Sequence, residues 1–140
     1  MSTDGSLACV PGSEADCLAS LGCVTEGACR LSADQTYCAP GSDADCQASW
    51  ECAHYGYCTM SDPNGYPQCL PGSDADCLGS LDCINFGNCT LSPDSYLQCQ
   101  PGSQADCANS SRCTQHGTNC TLSNDAGPCN DSSQITPCCV

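Results

Sequence analysis

The chain has 140 residues and a formal net charge of −14, with no lysine and arginine only at Arg30 and Arg112. Nothing in it can neutralise a run of phosphates, and an anionic bilayer repels it, so nucleic-acid binding and membrane-surface attachment are excluded. It contains no stretch of about 18 apolar residues, so no membrane insertion is predicted.

Nineteen residues are cysteine, a share well above the roughly 8–10% that marks a disulfide scaffold. Zinc and thiolate clusters favour C-x-C or C-x2-C pairs. No such pair occurs, and the only close cysteines, Cys138 and Cys139, are adjacent. Disulfides are therefore expected, and with them an extracellular or cell-surface location. The N-terminus, Met-Ser-Thr-Asp-Gly-Ser, has no apolar leader segment, so a signal segment removed ahead of this numbering is expected.

In chain order, a tail over 1–8 precedes repeat 1 (9–37), repeat 2 (38–68), repeat 3 (69–98) and repeat 4 (99–128). Residues 129–140 form a truncated repeat. Each repeat reads C-x-P-G-S-x-A-D-C-x-x-S-x-x-C-x-x-x-G-x-C with minor departures, and cysteine-to-cysteine periods are 29, 31, 30 and 30 residues. Pro-Gly forces a turn. Ser13, Ser42, Ser73 and Ser103 then stand three residues before Asp16, Asp45, Asp76 and Asp106, the spacing of a capping box. A short helix is predicted from each of these serines to the third cysteine. Gly27, Gly56, Gly87 and Gly117 follow, placed to close it with positive φ. An extended segment then carries one buried apolar side chain per repeat: Leu31, Met60, Leu91 and Leu122. Polar turns such as Ser-Asp-Pro-Asn-Gly at 61–65 make this the first half of a small β-hairpin. The predicted fold is a small disulfide-rich tandem repeat: four stacked units, each a short helix plus a β-hairpin, forming a stiff rod without linkers. Units of about 30 residues bury too little apolar surface to stand alone, so crosslinks must hold them.

The disulfide framework comprises Cys17, Cys23, Cys29, Cys38, Cys46, Cys52, Cys58, Cys69, Cys77, Cys83, Cys89, Cys99, Cys107, Cys113, Cys120 and Cys129. The second and third cysteines of a repeat lie about 9 Å apart along an unbroken helix, too far for one bridge. Each then pairs with the fourth cysteine or with the first of the next repeat. Closing each unit on the next repeat's first cysteine leaves Cys9, Cys138 and Cys139 at opposite ends. These are candidates for intermolecular bonds that would join copies head to tail into a covalent homopolymer.

Little else signals chemistry. Asp43–Asp45 and Asp74–Asp76 form D-x-D pairs, with Glu14–Asp16 and Gln104–Asp106 in the equivalent places. Calcium is the cofactor to weigh, but two carboxylates fall short of its six to eight oxygens, so no cofactor is expected. His54 and His116 have no partner at ligand spacing, and no nucleophile–base pair or redox C-x-x-C is readable, so no enzyme is expected. Trp50, Tyr55, Tyr57 and Tyr66 concentrate aromatics in repeat 2 and form a candidate patch for recognising glycans or surface proteins; packing between neighbours is the competing explanation. Asn88, Asn109, Asn119 and Asn130 head N-x-S/T sequons, candidate glycosylation sites in a eukaryotic secretory route.

The stretch G-S-D-A-D-C-x-x-S-x-x-C-x-x-x-G-x-C resembles tandem cysteine-rich repeats of uncharacterised secreted or surface proteins of bacteria such as myxobacteria. The resemblance covers Cys9 to Cys129; it implies no activity and transfers no functional residue. EGF-like modules share the size but carry six cysteines where each period here has four. The sequence thus reads as an extracellular structural protein, a subunit of a disulfide-stabilised filament, sheath or surface appendage. The alternative is a secreted binding module, whether adhesin, protease inhibitor or toxin-like ligand. A metal-sequestering thiol protein is the weakest reading.

Overall fold

The computed structural model describes residues 11–93, 97–124 and 137–140. Among them, short helices alternate with small antiparallel hairpins, and disulfides tie each to the next. The first helix of each period, α1 (Glu14–Leu18), α3 (Asp43–Gln47), α5 (Asp74–Leu78) and α7 (Gln104–Asn109), begins after a Pro-Gly-Ser turn. Ser13, Ser42 and Ser103 sit in extended backbone and accept a hydrogen bond from the N–H three residues on. Ser73 has the same backbone but makes no side-chain cap bond. The expected reciprocal box is complete at Ser103–Asp106. At every site the carboxylate also reaches one residue further back, to the glycine of the Pro-Gly turn. Gly12, Gly41, Gly72 and Gly102 donate to Asp16, Asp45, Asp76 and Asp106 at 2.8–3.0 Å. The aspartate therefore locks the turn to the helix start, where its charge also suits the dipole.

The single helix expected up to the third cysteine is instead two. Each first helix stops and a second begins: α2 (Leu21–Glu26), α4 (Trp50–Tyr55), α6 (Leu81–Phe86) and α8 (Ser111–His116). The break is made by a second serine. The Ser80 hydroxyl donates to the Cys77 carbonyl at 2.7 Å and accepts from the Cys83 N–H at 3.0 Å. Ser20 and Ser110 do the same, and Ser49 accepts from the Cys52 N–H. One hydroxyl thus ends the first helix and caps the second, which is why a helix-breaking serine is buried here. Each second helix ends on its glycine in the left-handed region, at φ of +73°, +78°, +82° and +66° for Gly27, Gly56, Gly87 and Gly117.

Hairpins follow: β1 (Arg30–Leu31) with β2 (Cys38–Ala39), β3 (Thr59–Ser61) with β4 (Gln68–Leu70), and β5 (Thr90–Leu91) with β6 (Cys99–Gln100). The last pairs β7 (Leu122–Ser123) with β8 (Cys138–Cys139). The register repeats: Leu31 faces Cys38, Met60 faces Cys69, Leu91 faces Cys99 and Leu122 faces Cys139.

Two bridge classes recur. The second cysteine joins the following hairpin, as Cys17–Cys38, Cys46–Cys69, Cys77–Cys99 and Cys107–Cys139. The third joins the fourth, as Cys23–Cys29, Cys52–Cys58, Cys83–Cys89 and Cys113–Cys120. Cys139 therefore takes the place expected of Cys129, because β8 and not residue 129 completes the fourth hairpin. Cys9 and Cys129 lie outside the described residues.

The core is cystine. Cys17, Cys46, Cys77 and Cys107 are fully buried, with Pro71 and Pro101 beside them. Leu31, Leu91 and Leu122 are only half-buried and Met60 is exposed, so the one-apolar-side-chain core expected from the sequence is corrected. A two- or three-residue strand covers little area; the sulfurs and the Pro-Gly prolines fill the interior instead.

Candidate functional site

Three features carry the residues singled out in the sequence: a lattice of helix–hairpin clips, an aromatic cluster on α4, and the glycine seats between successive helices.

The D-x-D carboxylates work as clips. The Met60 N–H donates to Asp43 and the Leu91 N–H to Asp74, both at 2.8 Å. In the fourth period Gln104 accepts from the Leu122 N–H and donates to the Cys120 carbonyl. An amide oxygen replaces a carboxylate without loss, which identifies the position as an acceptor for the hairpin. The first period uses charge instead, pairing Glu14 with Arg30. Asp76 also accepts from the Thr59 hydroxyl at 2.8 Å, fastening one hairpin to the next helix. Among the described residues no group of three or more His, Cys, Asp or Glu side chains is placed to hold a metal ion.

The aromatic residues divide. On α4, His54 lies one turn after Trp50, and their rings stack at 3.7 Å. The His54 Nδ1–H donates to the Trp50 carbonyl at 2.9 Å, fixing the ring. Tyr55 meets Trp50 edge-on at 5.5 Å, and Tyr57 continues the chain at 5.7 Å from Tyr55. Tyr66 is not part of this cluster; it pairs with Tyr37 at 6.2 Å. Burial, with Glu51 and Asp82 nearby, raises the Tyr57 phenol. Tyr55 and Tyr57 line a cleft of about 170 Å³ together with Asp82, Phe86 and Asn88. That is below the roughly 300–1,000 Å³ of small-molecule sites.

The sequence also conceals a second apolar feature. Leu21 and Val24 on α2, Trp50 on α4, and Leu81 and Ile84 on α6 are all substantially exposed. Each pair is three residues apart and so shares a helix face. The shared face exists only because a second helix starts at Leu21, Trp50 and Leu81, out of phase with the single helix per repeat that the sequence suggests.

The sequons differ in access. The Asn88 amide donates to Asp82 at 2.7 Å and the Asn119 amide to the Cys139 carbonyl at 2.9 Å. Asn109 is exposed at the end of α7, and Asn130 lies outside the described residues. His116 ends α8 and is exposed.

Of the three cysteines expected to bond between copies, Cys9 lies outside the described residues and the other two are already in disulfides. Cys139 bridges Cys107 in its own chain, and Cys138 is disulfide-bonded as well.

The seats recur between neighbours. A Cβ on Gly27 would lie 2.8 Å from the Cys69 Sγ and 2.9 Å from the Asp45 carbonyl. On Gly56 it would meet the Asp76 carbonyl at 2.7 Å and the Cys99 Sγ at 3.1 Å. On Gly87 it would meet the Asp106 carbonyl at 2.6 Å and the Cys139 Sγ at 3.0 Å. Each glycine thus rests on the first helix of the next period and on the cystine that anchors it. Only glycine meets both demands, positive φ and contact with backbone. The second helices touch in the same order, α2 with α4, α4 with α6, and α6 with α8. Residue six of one lies near residue two of the next, so Arg112 sits 4.6 Å above the Phe86 ring, while burial, with Glu26 nearby, raises the carboxyl of Glu51. No family model, curated protein or solved structure matches the chain.

Proposed function

We propose that this is an extracellular structural protein, a rod of four tandem units that serves as the subunit of a filament, sheath or surface appendage. The observation that carries the reading is the threefold recurrence of one docking geometry, the seats of Gly27, Gly56 and Gly87. A constant step between like units generates an array that grows along one axis. Supporting it, stability comes from crosslinks that solvent changes do not disrupt. With no lysine and arginine only at Arg30 and Arg112, the chain offers trypsin-like proteases few sites.

Small-angle scattering of the monomer tests the shape. A compact chain of this length has a radius of gyration of about 14 Å. A rod should exceed that clearly and show a linear cross-section region; a value near 14 Å refutes it.

A secreted binding module is the second reading, favoured by the exposed Trp50 beside His54 and Tyr55. Aromatic anchors of this kind serve glycan and protein recognition. It expects a monomer whose Trp50 fluorescence shifts on ligand addition.

A further inference from the structure

We propose that copies of this chain associate end to end without covalent bonds, the Gly117 seat of one copy receiving the first helix and the Cys17–Cys38 cystine of the next. This deepens the filament reading and rests on it. Gly27, Gly56 and Gly87 are each seated, and the seat is always built from the same parts: the carbonyl of the capping aspartate and a sulfur of the bridge that anchors that helix. Gly117 has the same left-handed backbone and the same cap bonds to Cys113 and Arg112 carbonyls. Yet no described atom lies within 4 Å of where its Cβ would be.

The matching half is present at the other end. Asp16 and the Cys17–Cys38 bridge repeat the arrangement of Asp45 with Cys46–Cys69. No described glycine is seated on them. Among the described residues, one open seat and one open counterpart on the same chain are complementary, and the step that relates neighbours inside the chain relates neighbouring copies. Such a heterologous contact does not close, so it propagates. The register sets His116 of one copy opposite Gly22 of the next, in the place where Phe86 meets Arg112 internally. No like charges face each other there. The net charge of −14 still opposes contact at long range, so association should strengthen with salt.

The test uses the full oxidised chain in sedimentation velocity across protein concentration and ionic strength. Gly117→Asn keeps a residue that tolerates left-handed backbone but fills the seat. Gly65→Asn is the matched control, since Gly65 has φ +80° with nothing within 4 Å. Both variants should retain the wild-type thiol count and circular dichroism. The proposal expects salt-promoted oligomers for wild type and Gly65→Asn, and association weakened by at least about tenfold, or about 1.4 kcal/mol, for Gly117→Asn. Oligomers that persist in Gly117→Asn overturn this interface and leave the filament reading standing. Wild type that stays monomeric throughout overturns both. If Gly117→Asn alone loses helix content as a monomer, the seat is filled from within the chain, and the proposal fails.

Discussion

Cys107 is bonded to Cys139, 32 residues away, whereas the equivalent bridges of the three preceding periods span 21, 23 and 22. The fourth hairpin keeps its register across this enlarged loop, with Leu122 facing Cys139. Loop-closure entropy makes the long bridges worth about 3–4 kcal/mol each and the six- or seven-residue bridges about 2. Cys139→Ser should therefore lower the urea midpoint more than Cys113→Ser. Peptide mapping without reductant should recover residues around Cys107 linked to Cys139. Recovery of a Cys107–Cys129 link contradicts the assignment.

The acceptor at the first position of each first helix serves through its oxygen, not its charge. Asp43→Asn keeps an oxygen for the Met60 N–H, as Gln104 does for Leu122. It should change stability little, while Asp43→Ala should cost about 1 kcal/mol. Equal losses for both in denaturant titrations would show that the carboxylate charge matters, as calcium binding requires.

Ser80 is fully buried and makes two hydrogen bonds. Ser80→Ala strands the Cys83 N–H and should cost about 1–2 kcal/mol. The more accessible Ser20 should cost less when changed to Ala, since water can replace its bonds. Amide hydrogen exchange of α6 in Ser80→Ala checks the mechanism: faster exchange at its first turn is expected, and unchanged protection there rules out the capping role.

Glu51 gives a pH signature. Burial, with Glu26 beside it, raises its carboxyl above the ordinary value of 4.5. The folded state then holds the proton more tightly than the unfolded one, so stability falls as pH rises from about 4.5 through the folded value. Glu51→Gln should raise the urea midpoint at pH 7 and leave it unchanged at pH 3. An equal gain at both pH values shows that the effect is not ionisation.

Much of this was legible in the residues. The Ser-x-x-Asp spacing announces the first helices, and the glycine after the third cysteine announces the left-handed stop that closes the second ones. Both rest on local chemistry that a short segment contains. The split of each helix is not legible in the residues, because Ser20, Ser49, Ser80 and Ser110 fit a helix interior as well as a cap, and only the fold shows each receiving the N–H of the cysteine three residues on. The exchange of Cys139 for Cys129 was not legible, since even spacing favours Cys129 and only the strand register selects Cys139. Tyr66 lies in the same repeat as Trp50, but the hairpin carries it to Tyr37. The glycine seats required three-dimensional contacts between residues such as Gly27 and Cys69, separated by more than a full period.

Electron microscopy of the oxidised protein at raised salt, followed by denaturing electrophoresis without reductant, tests end-to-end assembly most directly. Unbranched fibres that dissolve to the 14.4 kDa monomer in detergent alone are expected, because the contact is non-covalent. A single monomeric species at every concentration and ionic strength contradicts the filament reading.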